Sequence, residues 1–299
     1  AFNHAIASCC KFALYKNSEK QIEMKLFHVM ATGAIALTLL SGCTRKSADD
    51  TEIANFVIDE TIKTASRSYV ATGTDLGDTI YASVSTSLTW PEKLGDASLS
   101  VLQDSIKAAL FGKYGAIKGI DKAIKAYVAD ISAIGDSTFR PVDSIPPTQA
   151  GEMAWYLQAV GKITDLNEQY VTYQASISSY AGGAHPMTAV FSFSYDLGKA
   201  TVLTAENMFV KGSEGALLKI VRESLARQYS TTVDKLDEAG FWPENLNYLG
   251  DVYLSDGMVM FHYGPYAIAP YSMGDIDIAV WNEEITDYLT PSVIELLQR

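Results

Sequence analysis

Three runs with period-two patterning, Met153 to Thr164, Tyr170 to Ser179 and Met187 to Tyr195, follow one another with connections of only five and seven residues. A parallel neighbour would need a crossover of about a dozen residues or more, so these strands must be antiparallel. Upstream, Ile80 to Trp90 sets Ile80, Ala82, Val84, Leu88 and Trp90 on one face and Tyr81, Ser83, Ser85, Ser87 and Thr89 on the other, a half-buried strand that Pro91 is expected to end. Ser100 with Gln103 reads as a capping box, and Leu102, Ile106, Ala109 and Leu110 follow at helical spacing until Gly112. A second helix is expected from about Ile120 to Ile131, then a proline-rich loop over 136–150.

Further along, a helix from about Glu214 to Tyr229 would bury Leu217, Ile220, Val221 and Leu225. Asp251 to Leu254 and Met258 to Tyr263 flank Ser255-Asp256-Gly257, and an Asp-Gly pair between alternating apolar runs predicts a tight hairpin. A last strand, Ile276 to Trp281, leads into a terminal helix whose Leu289 is followed by Thr290-Pro291. This order predicts an α+β fold, an antiparallel sheet with helices packed on one side, in two associated subdomains.

Ahead of all this, Leu40-Ser41-Gly42-Cys43 closes a short apolar run preceded by Lys25 and reads as a lipobox. Met24 is then the expected start, residues 1–42 the leader, Cys43 the lipidated residue and 43–51 a polar tether. The run from Phe27 to Leu40 is shorter than the roughly 20 apolar residues a spanning helix needs. The expected address is the bacterial cell envelope, periplasmic face or cell surface and most simply the outer membrane, with membrane contact through the lipid alone.

The three cysteines are Cys9, Cys10 and Cys43, so a chain lipidated at Cys43 has no thiol for a disulfide, a zinc site or a nucleophile. Only His185 and His262 follow the lipobox. The whole chain has 23 basic and 35 acidic residues, a net charge of -12. Such a surface disfavours nucleic acid and attracts cationic partners, although solubility alone also accounts for it.

There is no G-x-S-x-G, H-E-x-x-H, P-loop or G-x-G-x-x-G after a strand, and nothing calls for a metal or a cofactor. His262 alternates with Met258 and Met260 and reads as a packed or edge imidazole rather than a ligand. His185 lies in Tyr180-Ala-Gly-Gly-Ala-His-Pro186, where Gly182 and Gly183 permit positive φ. It serves either a structural turn, bonding a nearby carbonyl, or a binding surface. Tyr263, Tyr266 and Tyr271, punctuated by Pro265, Pro270 and Gly274, are either a recognition margin or caps on a core edge. Asp275 and Asp277 share a face, where they could pair with cations or simply meet solvent.

Three segments, 180–186, 192–209 and 251–280, resemble the C-terminal part of the RsiV-type anti-sigma proteins and a related extracellular module of PdaC-type deacetylases. The resemblance rests on the Gly-Gly-Ala-His turn, the strand ending Asp196-Leu-Gly-Lys199, Leu203-Thr-Ala-Glu-Asn-Met-Phe209, and Tyr266-Ala-Ile-Ala-Pro-Tyr-Ser-Met-Gly274. It implies a DUF4163-like module over 52–185 and a DUF3298-like module over 186–299. One member type of that family is a lysozyme receptor and another accompanies a peptidoglycan deacetylase domain. This chain shows neither the sigma-binding segment nor the deacetylase domain, and Pro186 stands where a small residue is expected after the histidine. The resemblance therefore implies a non-enzymatic envelope lipoprotein binding a lysozyme-like cationic protein or a peptidoglycan fragment, through Tyr180, Gly182, Gly183, His185, Tyr263, Tyr266 and Tyr271. The alternatives are a cell-wall glycan esterase or deacetylase using His185, and a peptidoglycan-binding scaffold.

Overall fold

The computed structural model describes residues 56–72, 79–135, 138–146 and 154–297. The expected leader from Met24, the lipidated Cys43, the tether at 44–50 and Met153 lie outside them. Strands β1 (Ile58–Ala71) and β2 (Ile80–Leu94) pair antiparallel along their length, from Ile58 opposite Leu94 to Ala71 opposite Ile80. The alternation of β2 is realised as read: Ile80, Ala82, Val84, Leu88 and Trp90 are buried, and Thr86 joins them. Pro91 does not end the strand. It sits opposite Glu60 where the register shifts by one residue, an irregularity that accommodates the missing N–H, and β2 runs on to Leu94.

Helices α1 (Ser100–Phe111) and α2 (Ile120–Val128) cover one face of the sheet, α1 burying Leu102, Ile106 and Leu110. The expected capping box is absent. Leu99 occupies the cap position with no side-chain bond, and Gln103 instead donates from Nε2 to the carbonyl of Pro91 at 2.9 Å, tying the helix start to β2. After the helices, β3 (Arg140–Val142) pairs with the last part of β1, and β4 (Trp155–Leu166) enters beside β2 in parallel. The intervening helices supply the long crossover a parallel pair requires.

The three clustered strands form the antiparallel meander expected of them, β4, β5 (Tyr170–Tyr180) and β6 (Met187–Asp196), with a two-residue β7 (Thr201–Val202) at the edge. The strand order is β3-β1-β2-β4-β5-β6-β7. Gly161 lets β4 approach the core: a Cβ there would collide with the Tyr173 hydroxyl, which donates to the carbonyl of Thr89.

The one-turn helix α3 (Ala205–Met208) carries the capping box the sequence hid elsewhere, Thr204 with Asn207. Helix α4 (Glu214–Gln228) then buries Leu217, Val221 and Leu225 against a three-stranded antiparallel sheet of β8 (Asp251–Ser255), β9 (Met258–Tyr263) and β10 (Ile276–Trp281). The β8–β9 hairpin closes through Asp256 (φ 50) and Gly257 (φ 74), both left-handed, as a two-residue turn matched to strand twist demands. Beyond β10 the terminal helix is broken: α5 (Asn282–Ile285) ends early, and α6 (Pro291–Leu297) starts with Pro291 in its first turn.

The described residues form one compact unit. The expected division at 185/186 falls in the turn between β5 and β6, which pair from Tyr170 opposite Asp196 to Ser179 opposite Met187. The two apolar cores part near Leu203 instead. Side chains join the sheets: Thr172 Oγ1 donates to the carbonyl of Leu254 at 2.7 Å, and the Leu254 N–H donates to Ser194 Oγ at 2.8 Å. This seats β8 over one end of the helix-free face of the large sheet and, among the described residues, leaves the other end open.

Candidate functional site

At the open end of that face the β5–β6 connection folds back. Gly182 (φ 80) and Gly183 (φ 110) occupy backbone regions that side chains resist, and Gly182 lies so close to the indole of Trp155 that a Cβ would touch it at 3.4 Å. Tyr180 Oη donates to the carbonyl of Gly183 at 3.1 Å. The exposed His185 places Nδ1 2.8 Å from the carbonyl of Pro186, which also accepts from Tyr271 Oη at 2.6 Å, and the His185 and Tyr271 rings stack with centroids 4.1 Å apart. Tyr266 follows at 5.6 Å from Tyr271, 53% exposed and at φ 66. Two segments far apart in sequence thus build one aromatic margin.

The margin borders a groove of about 670 Å³ lined by Ser83, Ser85, Trp155, Tyr156, Gln158 and Tyr180, with Ile145, Ala154 and the 184–186 turn completing it. Strand register produces the lining. Ser83, Tyr156 and Tyr180 lie in one row across β2, β4 and β5, and Ser85, Gln158 and Ser178 in the next. A smaller depression at Thr64, Ser66 and Ser87 shares Ser85 and Gln158 with it, so the polar trough continues onto β1. Among the described residues no acidic residue, lysine or arginine lines either hollow.

The second histidine is placed differently. His262 is 3% exposed, and register aligns Asp251, His262 and Asp277 across β8, β9 and β10, on the face turned away from α4. His262 Nδ1 is 2.9 Å from Asp277 Oδ1, Nε2 is 3.5 Å from Asp275 Oδ1, and Tyr253 Oη donates to Asp277 Oδ1 at 3.0 Å. Burial pulls the imidazole pKa down, but the Asp277 bond and the charges of Asp277, Asp275 and Asp251 outweigh it and hold His262 above its ordinary value. Asp277 is also penalised by burial, yet the hydrogen bonds from His262 and Tyr253 hold it below the usual carboxylate range. Burial pushes Asp251 and Asp275 up. Among the described residues no group of His, Cys, Asp or Glu is arranged to hold a metal ion.

The structure therefore gathers Tyr180, Gly182, Gly183, His185, Tyr266 and Tyr271, and leaves Tyr263 out. Tyr263 is 1% exposed in the second core, with Oη donating to the carbonyl of Tyr248 at 2.7 Å. It faces away because it alternates with His262 along β9. Asp275 and Asp277 stay partly exposed to solvent but turn a carboxylate oxygen each to His262. Sequence reasoning missed Trp155, Tyr156 and Gln158 in the groove. The available signal was the Ser83-Ser85-Ser87 face of β2, unusually short side chains for a surface that only meets water.

An α+β module of two joined sheets, with an aromatic margin over a polar groove, is the class these features define. Residues 206–281 match the family model described as "Protein of unknown function (DUF3298)", and the chain carries that domain there. Two solved structures share the fold. A member of the DUF3298 family from Bacteroides fragilis NCTC 9343 is 19% identical, with a TM-score of 0.62 over 82% of this chain and 98% of its own. A DUF3298 family protein from Pseudomonas aeruginosa PAO1 is 17% identical, with a TM-score of 0.52 over 80% of this chain and 97% of its own. No curated protein matches.

Proposed function

We propose that this chain is a non-enzymatic ligand-binding module, lipid-anchored at Cys43 in the bacterial envelope, that takes an uncharged stretch of cell-wall glycan into the groove beside His185. The observation that carries the reading is the lining: rings, hydroxyls and one amide, with no carboxylate, lysine or arginine among the described residues, in a chain of net charge -12. Ring faces of Trp155, Tyr156 and Tyr180 suit the C–H faces of a sugar, and Ser83, Ser85 and Gln158 suit its hydroxyls and amides. A hydrolase of glycosidic bonds ordinarily needs a pair of carboxylates, and His185 is engaged with the Pro186 carbonyl and the Tyr271 ring, so the lining favours binding over turnover. Isothermal titration with an N-acetylglucosamine tetramer tests this. Saturable binding that Gln158→Ala weakens about ten-fold, without hydrolysis of the sugar, is expected. Absence of saturable binding to this or any cell-wall oligosaccharide sinks the reading.

A second reading, a cationic lysozyme-like protein as ligand, is favoured by the acidic charge together with the exposed Tyr266 at the margin. Binding to such a protein that persists at about 200 mM salt and falls on Tyr266→Ala supports it, because charge attraction alone is screened there.

A further inference from the structure

Among the described residues the long strand β1 is paired along the whole of one edge and only a short part of the other. On the β2 side it is paired throughout, but on the other side β3 covers Ser68, Tyr69 and Val70 alone. Among the described residues no strand pairs with the outer edge of Ile58 to Arg67, about 33 Å of backbone donors and acceptors at the usual rise. Such an edge is a template for a further strand, and proteins ordinarily blunt it with brevity, proline, a bulge of its own or charged side chains. The edge of β1 is long and has no proline or bulge of its own; its charges are of both signs and so can pair with a complementary strand, and it displays apolar side chains, with Ile58 51% and Ile62 66% exposed.

Its charges are divided along the strand. Asp59 and Glu60 occupy one half, and Lys63 and Arg67 the other. A second copy laid parallel would set like charges side by side, whereas an antiparallel copy sets each acidic half against the partner's basic half. We propose that this edge is a seam between two copies of this chain, β1 adding antiparallel to β1 about a two-fold axis at Ile62. In that register the two Ile62 side chains meet on the axis, and Asp59 has Lys63 and Arg67 of the other copy as diagonal neighbours on the same face. Lys63 also bonds Asp121 of α2 at 3.3 Å, which tempers repulsion between the two lysines near the axis. A two-fold normal to the sheet keeps both polar troughs on the same side, so the seam joins two seven-stranded sheets into one surface.

Sedimentation velocity of the full chain over about a hundred-fold range of concentration reads the association. The wild type is expected to pass from monomer to dimer. Arg67→Asp alone, which makes both ends of the seam acidic, and Asp59→Arg alone, which makes both basic, should each weaken the dimer at least ten-fold. An equimolar mixture of these two variants should restore it, because each supplies the charge the other lacks. Circular dichroism melting checks that both variants remain folded, as expected for exposed positions. A wild type that stays monomeric at every concentration overturns the proposal, as does a dimer indifferent to both substitutions or a mixture that fails to dimerise.

Discussion

The two histidines of the folded body are used in opposite ways. His262 is sealed between carboxylates, its ring serving the join between strands, while His185 is exposed, holds no carboxylate, and stacks on a tyrosine from a distant segment. Their neighbourhoods share ingredients, tyrosine hydroxyls and tight backbone. What separates them is solvent. A buried imidazole among acids is fixed by charge and answers to pH, whereas an exposed imidazole against a ring presents a surface on which a ligand can close.

The sharpest way to break this distinction is to remove each ring. His262→Leu takes the hydrogen-bond partner from the partly exposed Asp277 carboxylate and the neighbouring charge from Asp275, and urea unfolding should show a loss of about 1.5–3 kcal/mol. His185→Leu should stay within about 0.5 kcal/mol of the wild type. Equal costs would erase the contrast.

The pH dependence follows from the same row. His262 is held above its ordinary value, so its contribution to stability is complete below about pH 6.5 and is lost as pH rises through the higher folded value. Asp251 and Asp275, raised by burial, have the same sign and lose their contribution as pH rises above the usual carboxylate range. Asp277 has the opposite sign, contributing above its ordinary value and losing that contribution as acid takes it through its lower folded value. Melting temperature should therefore decline on the alkaline side of pH 6.5, and His262→Gln, which cannot charge, should flatten that limb.

At the exposed site the effects are smaller. Gly182→Ala places a side chain at φ 80, beside the Trp155 indole at ordinary contact distance, and the backbone strain should cost about 1–2 kcal/mol in unfolding. Smallest of all, His185→Ala should leave the fold intact and weaken glycan binding by about 1 kcal/mol, roughly five-fold.

Elements with one wet and one dry face were legible in the sequence. The β2 alternation, the α4 stripe and the Asp256-Gly257 hairpin are all realised, because burial periodicity or a positive-φ requirement acts within a few residues. β1 went unread because it is polar on both faces, an edge strand that buries only Tyr69, Val70 and Ala71 at its end. The parallel placement of β4 beside β2 depends on how helices α1 and α2 carry the chain across, which no local pattern records. Of the site, the Gly182-Gly183-His185 turn and Tyr271 were legible as unusual segments. Their meeting through the Pro186 carbonyl was not, since a contact spanning 85 residues leaves no periodic trace. Tyr263 was misassigned because proximity in sequence to Tyr266 suggested a shared face, and strand alternation turned it inward.

The backbone at Tyr266 sets heat resistance against recognition. Holding an aromatic residue at φ 66 costs the fold something like 1 kcal/mol that glycine would not. A laboratory selection that rewarded only survival of heating should therefore discard this tyrosine early, and, on the binding role proposed for the margin, its survivors would outlast the parent while losing affinity.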